Sequence, residues 1–402
     1  MGDWKETTLS EVTDLLPGYA FKGMDFGMGT SRGVKIKDVQ SGAVSVETLD
    51  ALDVTNYNQE RIKKYRLGAG DHLITMTGNM GRVATIPASD HPIYLNQRVA
   101  KLLPKANVVE DYLLYVIKSQ DFIDYCITHA DSETAQPNIS AGTILEYEFS
   151  LPPENEQRAI ASVLSSLDDK IDLLYRQNKT LEAMAETLFR QWFLEGEGTP
   201  VPVSDIIDFN PSLPLKNGQS APYLEMKNLQ ETSSIPDGIR YREFTSGMRF
   251  QNGDTLLARI SPCLENGKCC YVQCMIEGEV GWGSTEFIVM RSKKGYSPFL
   301  TYALAKSSDF IDFAANTLAG TSGRQRAQLN IVMEFQLVQP DRNSVATINA
   351  QLDGFAKRID LNHRQITSLT ALRDTLLPKL MSGEVRVDYH DQTHPPTTTG
   401  HE

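Results

Sequence analysis

Lys118-Ser-Gln-Asp-Phe-Ile-Asp-Tyr125 returns as Lys306-Ser-Ser-Asp-Phe-Ile-Asp-Phe313, six identities in eight positions at an offset of 188 (306 less 118). The same offset carries Ile171-Asp-Leu-Leu-Tyr-Arg-Gln-Asn-Lys-Thr-Leu181 onto Ile359-Asp-Leu-Asn-His-Arg-Gln-Ile-Thr-Ser-Leu369, six in eleven. Two ungapped matches sharing one offset mark a tandem duplication, and such self-similarity constrains architecture before any motif does. Weaker echoes fall near that spacing: Gln136-Pro-Asn-Ile139 with Gln328-Leu-Asn-Ile331, and Glu148-Phe149 before Leu151 with Glu334-Phe335 before Leu337.

Each copy has the same internal order, a stretch of short strands followed by a long helix. Asp71 to Thr77, Gly81 to Ile86 and Gln97 to Leu103 read as strands broken by Gly, Pro and Asn, and so do Asp254 to Arg259, Cys270 to Cys274 and Glu286 to Met290. The Lys118 segment reads as a short helix or helix pair, and Phe299 to Phe313 as helical. Gly27 to Gly33 reads as a plain loop. In the first long helix Ile160, Leu164, Leu167, Ile171, Leu174, Asn178, Leu181, Ala185, Leu188 and Trp192 alternate spacings of four and three, the pattern of a coiled-coil seam. Ile348, Leu352, Phe355, Ile359, Asn362, Ile366, Leu369, Arg373, Leu376 and Leu380 repeat it in the second, with Asn362 and Arg373 as polar interruptions. Pro378 predicts an end or kink near Leu377. Antiparallel pairing that aligns both helices sets Asn178 opposite Asn362, Leu174 by Ile366, Leu181 by Ile359, Leu188 by Leu352 and Trp192 by Ile348, with the asparagines fixing register.

The composition, 402 residues with 41% hydrophobic and 22% charged, is that of soluble domains. No apolar run reaches a membrane span and the opening residues lack a signal-peptide pattern, so a cytoplasmic protein is expected. A net charge of -12 excludes coating of nucleic acid by bulk electrostatics, so any DNA site must be local. Of five cysteines, four cluster at Cys263, Cys269, Cys270 and Cys274, and these four show no Cys-x-x-Cys pairing and no neighbouring histidine. They read as packed strand thiols, and no metal site is expected.

The chain resembles the specificity subunits of Type I restriction-modification systems. The resemblance rests on Pro152-Pro-Glu-Asn-Glu-Gln157 at the start of the first long helix, and on Asn252-Gly-Asp254, Gly283-Ser-Thr-Glu-Phe287 and Gly320-Thr-Ser-Gly-Arg-Gln-Arg326 in the second copy. Leu376-Leu-Pro-Lys-Leu-Met-Ser-Gly383 resembles the family's closing segment, whereas Pro340-Asp-Arg-Asn343 departs from the expected second Pro-Pro-x-x-Glu-Gln. It implies an α+β architecture of two tandem target-recognition domains separated by two long antiparallel coiled-coil helices, an internal pseudo-two-fold duplication. The expected divisions are 1–150 for the first recognition domain, 151–196 for the central helical spacer, 197–340 for the second recognition domain, 341–387 for the distal spacer and 388–402 for a disordered tail. It further implies a non-catalytic subunit that reads a bipartite, asymmetric target in double-stranded DNA. Two methyltransferase subunits and the motor-nuclease subunits would dock on it, and S-adenosylmethionine, ATP and Mg2+ would act in those partners.

No Asn-Pro-Pro-Tyr methyltransferase loop and no Gly-x-x-x-x-Gly-Lys-Ser/Thr phosphate loop occurs in the sequence. Candidate DNA contacts in the second copy are Ser322, Arg324, Gln325 and Arg326 in a Gly-rich loop, Ser284, Thr285 and Glu286 leading into a strand, and Arg259 and Lys268 beside a Pro-containing loop. Arg pairs with guanine, Gln with adenine and Glu with cytosine through bonds to base edges. In the first copy they are Thr75, Thr77, Asn79 and Arg82, Asn96, Gln97 and Arg98, and Gln136 with Asn138, while Lys35 and Lys37 in an alternating strand are candidates for phosphate. Two rivals remain open at this level: an enzyme with an unrecognised site, and a coiled-coil adaptor whose globular units bind protein.

Overall fold

The computed structural model describes residues 4–40, 42–131, 136–321 and 325–387. The chain divides into two compact units, Met1–Asp169 with Leu369–Glu402, and Lys170–Ser368. Both long helices, Glu154–Phe189 and Arg342–Met381, cross this division. Each unit is therefore a mixed α/β domain closed by its own pair of antiparallel helix halves.

In the first unit, strand Val99–Pro104 lies between Thr13–Pro17 and His72–Thr75, with Val83–Thr85 and Gly42–Ala43 beyond. A second sheet has the order Asp50–Leu52, Phe26–Val34, Ile93–Leu95 and Arg66–Leu67. The second unit repeats both. Ile207–Phe209, Phe287–Ser292, Thr255–Ala258 and Cys269–Tyr271 form one sheet, and Arg240–Glu243, Ser220–Leu224, Gly281–Gly283 and Met248–Phe250 the other. In each unit a two-stranded ribbon, Lys5–Thr8 with Glu148–Leu151 or Thr199–Pro202 with Gln336–Gln339, leads into the long helix. Glu148 and Gln336 are again 188 apart, so the offset holds through this ribbon. The Glu334-Phe335 echo at 186 is displaced from it by two residues.

Cores follow the apolar periodicities. Ile160, Ala161, Leu164 and Leu380 pack with Leu113, Val116, Ile117 and Phe122 in the first unit. Ala185, Phe189, Phe193, Ile348, Leu352 and Ile359 pack with Leu300, Leu304 and Phe310 in the second. Trp192, in the π-helical turn Arg190–Leu194, packs at the edge of that second core. Every seam position read from the sequence is buried or half-buried. Each polar interruption has a partner: Asn362 bonds Asn178, and Arg373 reaches Asp168 at 2.9 Å.

The first long helix begins on its Pro-Pro-x-x-Glu-Gln motif. Gln157 accepts the Val109 N–H at 2.8 Å and donates to the Pro152 carbonyl at 2.9 Å, tying the preceding helix pair to this one. Glu156, 1% exposed, accepts the Trp4 indole N–H at 3.1 Å and pairs with Arg386 at 2.5 Å. In the second unit the Asp341 carboxylate caps the helix by accepting the Asn343 and Ser344 N–H groups, as an N-cap acid should. Asn349 there accepts the Ser297 N–H at 2.7 Å, the task of Gln157 moved one helical turn onward.

Five expectations change. Gly27 to Gly33 is not a loop but lies in strand Phe26–Val34. Lys35 and Lys37 are not in a strand: the Lys35 N–H bonds the Asp38 carboxylate at 2.8 Å and closes the 3-10 turn Ile36–Asp38. The second helix runs through Pro378 to Met381, because a proline this close to the end sacrifices a single intrahelical bond, and Gly383 at φ 73 then terminates the chain of turns. The helical stretch Phe299 to Phe313 is two helices, Leu300–Lys306 and Ser308–Ala315, broken at Ser307 as Glu110–Lys118 and Gln120–Thr128 are at Ser119. Cys269 and Cys270 are buried strand thiols, but Cys263 and Cys274 lie outside the strands. Ser322, Arg324 and the tail 388–402 lie outside the described residues. Among the described residues no helix is long and apolar enough to cross a membrane, and no cluster of metal-ligating side chains occurs.

Candidate nucleic-acid interface

The same backbone frame holds the candidate residues in both units. In the first, Met76 N–H bonds the Arg98 carbonyl at 3.0 Å, Gly78 N–H the Pro137 carbonyl at 3.0 Å, and Ile139 N–H the Met76 carbonyl at 2.9 Å. In the second, Arg259 N–H bonds the Glu286 carbonyl at 2.8 Å, Ser261 N–H the Gln325 carbonyl at 3.0 Å, and Ala327 N–H the Arg259 carbonyl at 3.0 Å. Isolated bridges Thr77 to Asn138 and Ile260 to Arg326 complete the match. Three segments from distant parts of each unit thus converge. Arg98 corresponds to Glu286 and Asn138 to Arg326, both at offset 188. The echo of Gln136-Pro-Asn-Ile139 in Gln328-Leu-Asn-Ile331 is therefore displaced by four residues from the true equivalence.

On this frame the side chains differ in polarity. In the first unit the cation stands on the turn after Ile93–Leu95, where Arg98 donates to Gln136 Oε1 at 3.4 Å, and Thr77 donates to Asn138 Oδ1 at 2.6 Å. In the second unit the acid stands on the equivalent turn. Arg326 grips Glu286 from the facing segment, with Nε at 3.0 and 2.9 Å from the two carboxylate oxygens and Nη2 at 2.6 Å. The hydrogen bond from Arg326 holds the Glu286 carboxyl below the usual carboxylate range, and Glu286 raises Arg326 in return. Arg98 adopts φ 71, a left-handed conformation that costs a non-glycine residue on the order of 1 kcal/mol and is concentrated at functional sites.

Not every candidate is presented to solvent. Thr75 is 0% exposed; its hydroxyl donates to the Asn79 carbonyl at 2.6 Å and accepts the Arg82 N–H at 3.1 Å, so it shapes the Gly78 to Gly81 turn from inside. Thr77 and Asn96 are also buried, and Asn96 Oδ1 has no hydrogen-bond partner among the described residues. Asn79, Gln97, Arg98, Gln136 and Asn138 are exposed, as is Arg82, which donates to Gln40 at 3.0 Å. Lys35 and Lys37 both bond Asp50, at 2.8 and 3.1 Å, so much of their charge is already spent. In the second unit Thr285 and Arg326 are exposed, Gln325 half-buried, and the Ser284 hydroxyl accepts the Glu286 N–H at 3.1 Å as a turn former. Arg259 donates from Nε to the Ala327 carbonyl at 3.0 Å and braces the frame. Lys268 is half-buried, and its carbonyl accepts the Ala258 N–H at 2.9 Å, next to Arg259 of the frame.

The sequence candidates omit one exposed stretch, Arg61-Ile-Lys-Lys-Tyr-Arg66. Its legible signal was cation density alone.

Residues 1–183 match the family model described as the Type I restriction modification DNA specificity domain. The chain is 24% identical over 404 residues to the Type I restriction enzyme MjaIX specificity subunit of Methanocaldococcus jannaschii, covering 90% of this chain and 91% of that protein. It is 25% identical over 201 residues to the Type I restriction enzyme HindI specificity subunit of Haemophilus influenzae, covering 48% of this chain and 42% of the other. Its fold is similar to the crystal structure of the Type I restriction-modification S subunit from M. genitalium, with a TM-score of 0.53, 17% identity and coverage of 94% of this chain and 96% of that one.

Proposed function

We propose that this chain is a specificity subunit of a Type I restriction-modification system, a non-catalytic DNA-recognition subunit, and that it reads a bipartite, asymmetric DNA target, one half per unit. The observation that carries this reading is the repeated frame with unlike side chains. A common backbone presents Arg98, Gln136 and Asn138 in one unit and Glu286, Gln325 and Arg326 in the other. Equal scaffolds would approach a duplex alike, while their side chains select different base edges, so the half-sites differ.

Methylation and cleavage then belong to methyltransferase and motor-nuclease subunits that dock on this chain, using S-adenosylmethionine, ATP and Mg2+ in their own sites, in the cytoplasm where the DNA lies. An acidic chain binding DNA with such partners needs few cations of its own.

Methylome sequencing of a host carrying the intact operon tests the reading. The expected result is one interrupted motif with two unlike halves. A continuous palindromic motif would overturn the two-unit assignment. Gel shifts that show no sequence-specific complex with or without methyltransferase subunits would favour the adaptor reading instead.

A further inference from the structure

Arg61, Lys63, Lys64 and Arg66 place four cations within six residues of a chain whose net charge is -12. All four are exposed, and among the described residues none joins an ion pair, although Glu60 stands beside them. Several other cations of this unit are paired, Lys35 and Lys37 with Asp50, Lys101 with Asp71 and Lys105 with Asp14, and Arg82 and Arg98, in no ion pair among the described residues, stand singly rather than clustered. Adjacent unpaired like charges repel, so their concentration here costs stability unless an anion neutralises it.

The stretch is held rigidly next to the reading frame. Ile62 is buried with Phe21, Leu52 and Tyr94, which fixes the backbone that carries the cations. Arg61 lies over the Tyr19 ring at 5.6 Å, Tyr19 stands 5.3 Å from Tyr65, and Lys64 lies 5.0 Å from the Tyr65 ring. The Tyr19 carbonyl in turn accepts the Gln97 N–H at 2.9 Å, so a single residue links the cations to the turn bearing Arg98. Arg66 pairs with Tyr94 across the sheet and lines an open cleft with Ser89 and His91.

We propose that Arg61, Lys63, Lys64 and Arg66 are a phosphate clamp that grips the backbone of duplex DNA while the neighbouring 96–98 turn meets the bases. The proposal rests on the first unit being a DNA reader. Phosphate contacts fix register and orientation without carrying sequence information, which suits cations one layer away from a base-reading turn. The second unit has no such cluster among its described residues at the equivalent place: in the strand equivalent to Arg66–Leu67, Arg249 donates to the Leu213 carbonyl and packs on Phe244, and in strand Arg240–Glu243 Arg242 is paired with Glu225. Among the described residues this cluster therefore belongs to the first unit.

The test uses the full chain assembled with its methyltransferase subunits and measures target-duplex affinity across a salt series, comparing wild type with R61Q/K63Q/K64Q/R66Q. The slope of log K against log salt should become shallower by about 3 to 4, roughly 0.9 for each phosphate that is no longer neutralised. Both halves of the methylated motif should stay unchanged. K63Q and K64Q singly, at exposed positions, should each remove roughly 0.9 of slope even if the quadruple variant folds poorly. An unchanged slope in folded variants overturns the clamp, and if assembly with the methyltransferase subunits weakens at the same time, the patch serves an acidic protein surface. A changed base preference also overturns it, since the cations would then read sequence. Failure of the wild-type complex to bind any sequence specifically would instead remove the reading on which the clamp rests.

Discussion

Asn362 Nδ2 donates to Asn178 Oδ1 at 2.8 Å, both side chains buried within the second unit where the two long helices face each other. An amide in an apolar seam is tolerated only with a partner, and the pair meets in one register alone. Asn178→Leu should therefore lower stability by about 1 to 3 kcal/mol, because the buried Asn362 amide loses its 2.8 Å acceptor and keeps only the longer contact to Gln177 Oε1 at 3.4 Å. The double change to leucine should raise the melting temperature above wild type while admitting shifted registers. Thermal melts of the three proteins check this, and a double variant less stable than wild type would contradict it.

Arg326→Ala should abolish discrimination at one base pair of one half-site, a loss of about 1 to 3 kcal/mol, and leave the other half-site intact. Arg98→Ala should do the reverse. Motif determination on randomised targets distinguishes them, and two variants that disturb the same half-site would falsify the assignment of one unit to each half. A charge-reversed E286R/R326E pair should regain stability without regaining base preference, which a purely structural ion pair would not do.

Glu182 accepts the Ser234 N–H at 2.8 Å and hydroxyl at 2.6 Å and the Tyr302 hydroxyl at 3.1 Å, and burial raises its pKa above the usual carboxylate range. The folded protein thus holds the proton more tightly than the unfolded chain. The stability this lends is fully present below the unfolded value and is lost as pH rises through the folded one. Glu182→Gln should flatten that decline and stabilise the protein at neutral pH. Denaturant midpoints measured from pH 4 to 8 decide it, and a variant that keeps the wild-type slope would count against this role.

Arg386→Ala should cost about 3 kcal/mol, because Glu156 remains buried with, among the described residues, only the Trp4 indole as side-chain partner. Removing both charges with Glu156→Gln and Arg386→Met should recover part of the loss. Equal destabilisation by the single and double changes would show that the charge pair is not the cause.

Inserting one heptad into each helix at matched positions beside Asn178 and Asn362 adds about 10 Å of helix, and the gap between half-sites should lengthen by about three base pairs. A methylated motif with an unmoved gap would mean that the helices do not set the spacing.

What the sequence by itself determined are properties carried within single segments. The duplication is visible because Lys118 to Tyr125 and Ile171 to Leu181 each have a copy at one offset, and the helices because side chains every three or four residues share a face. The asparagine register was legible for the same reason, since two periodic helices admit few alignments. The tertiary structure decided what depends on segments remote in sequence. Arg326 meets Glu286 across 40 residues, and Arg98 meets Gln136 across 38, because sheet register and the frame bonds from Met76 and Arg259 bring those segments together. Thr75, polar and in a Gly-rich turn, looked like a contact residue until its hydroxyl proved to bond the turn's own backbone. Lys35 looked like a strand residue because alternation ignores the capping bond from its N–H to Asp38. Periodicity reports which face a side chain takes, whereas its partner depends on where the rest of the chain has folded.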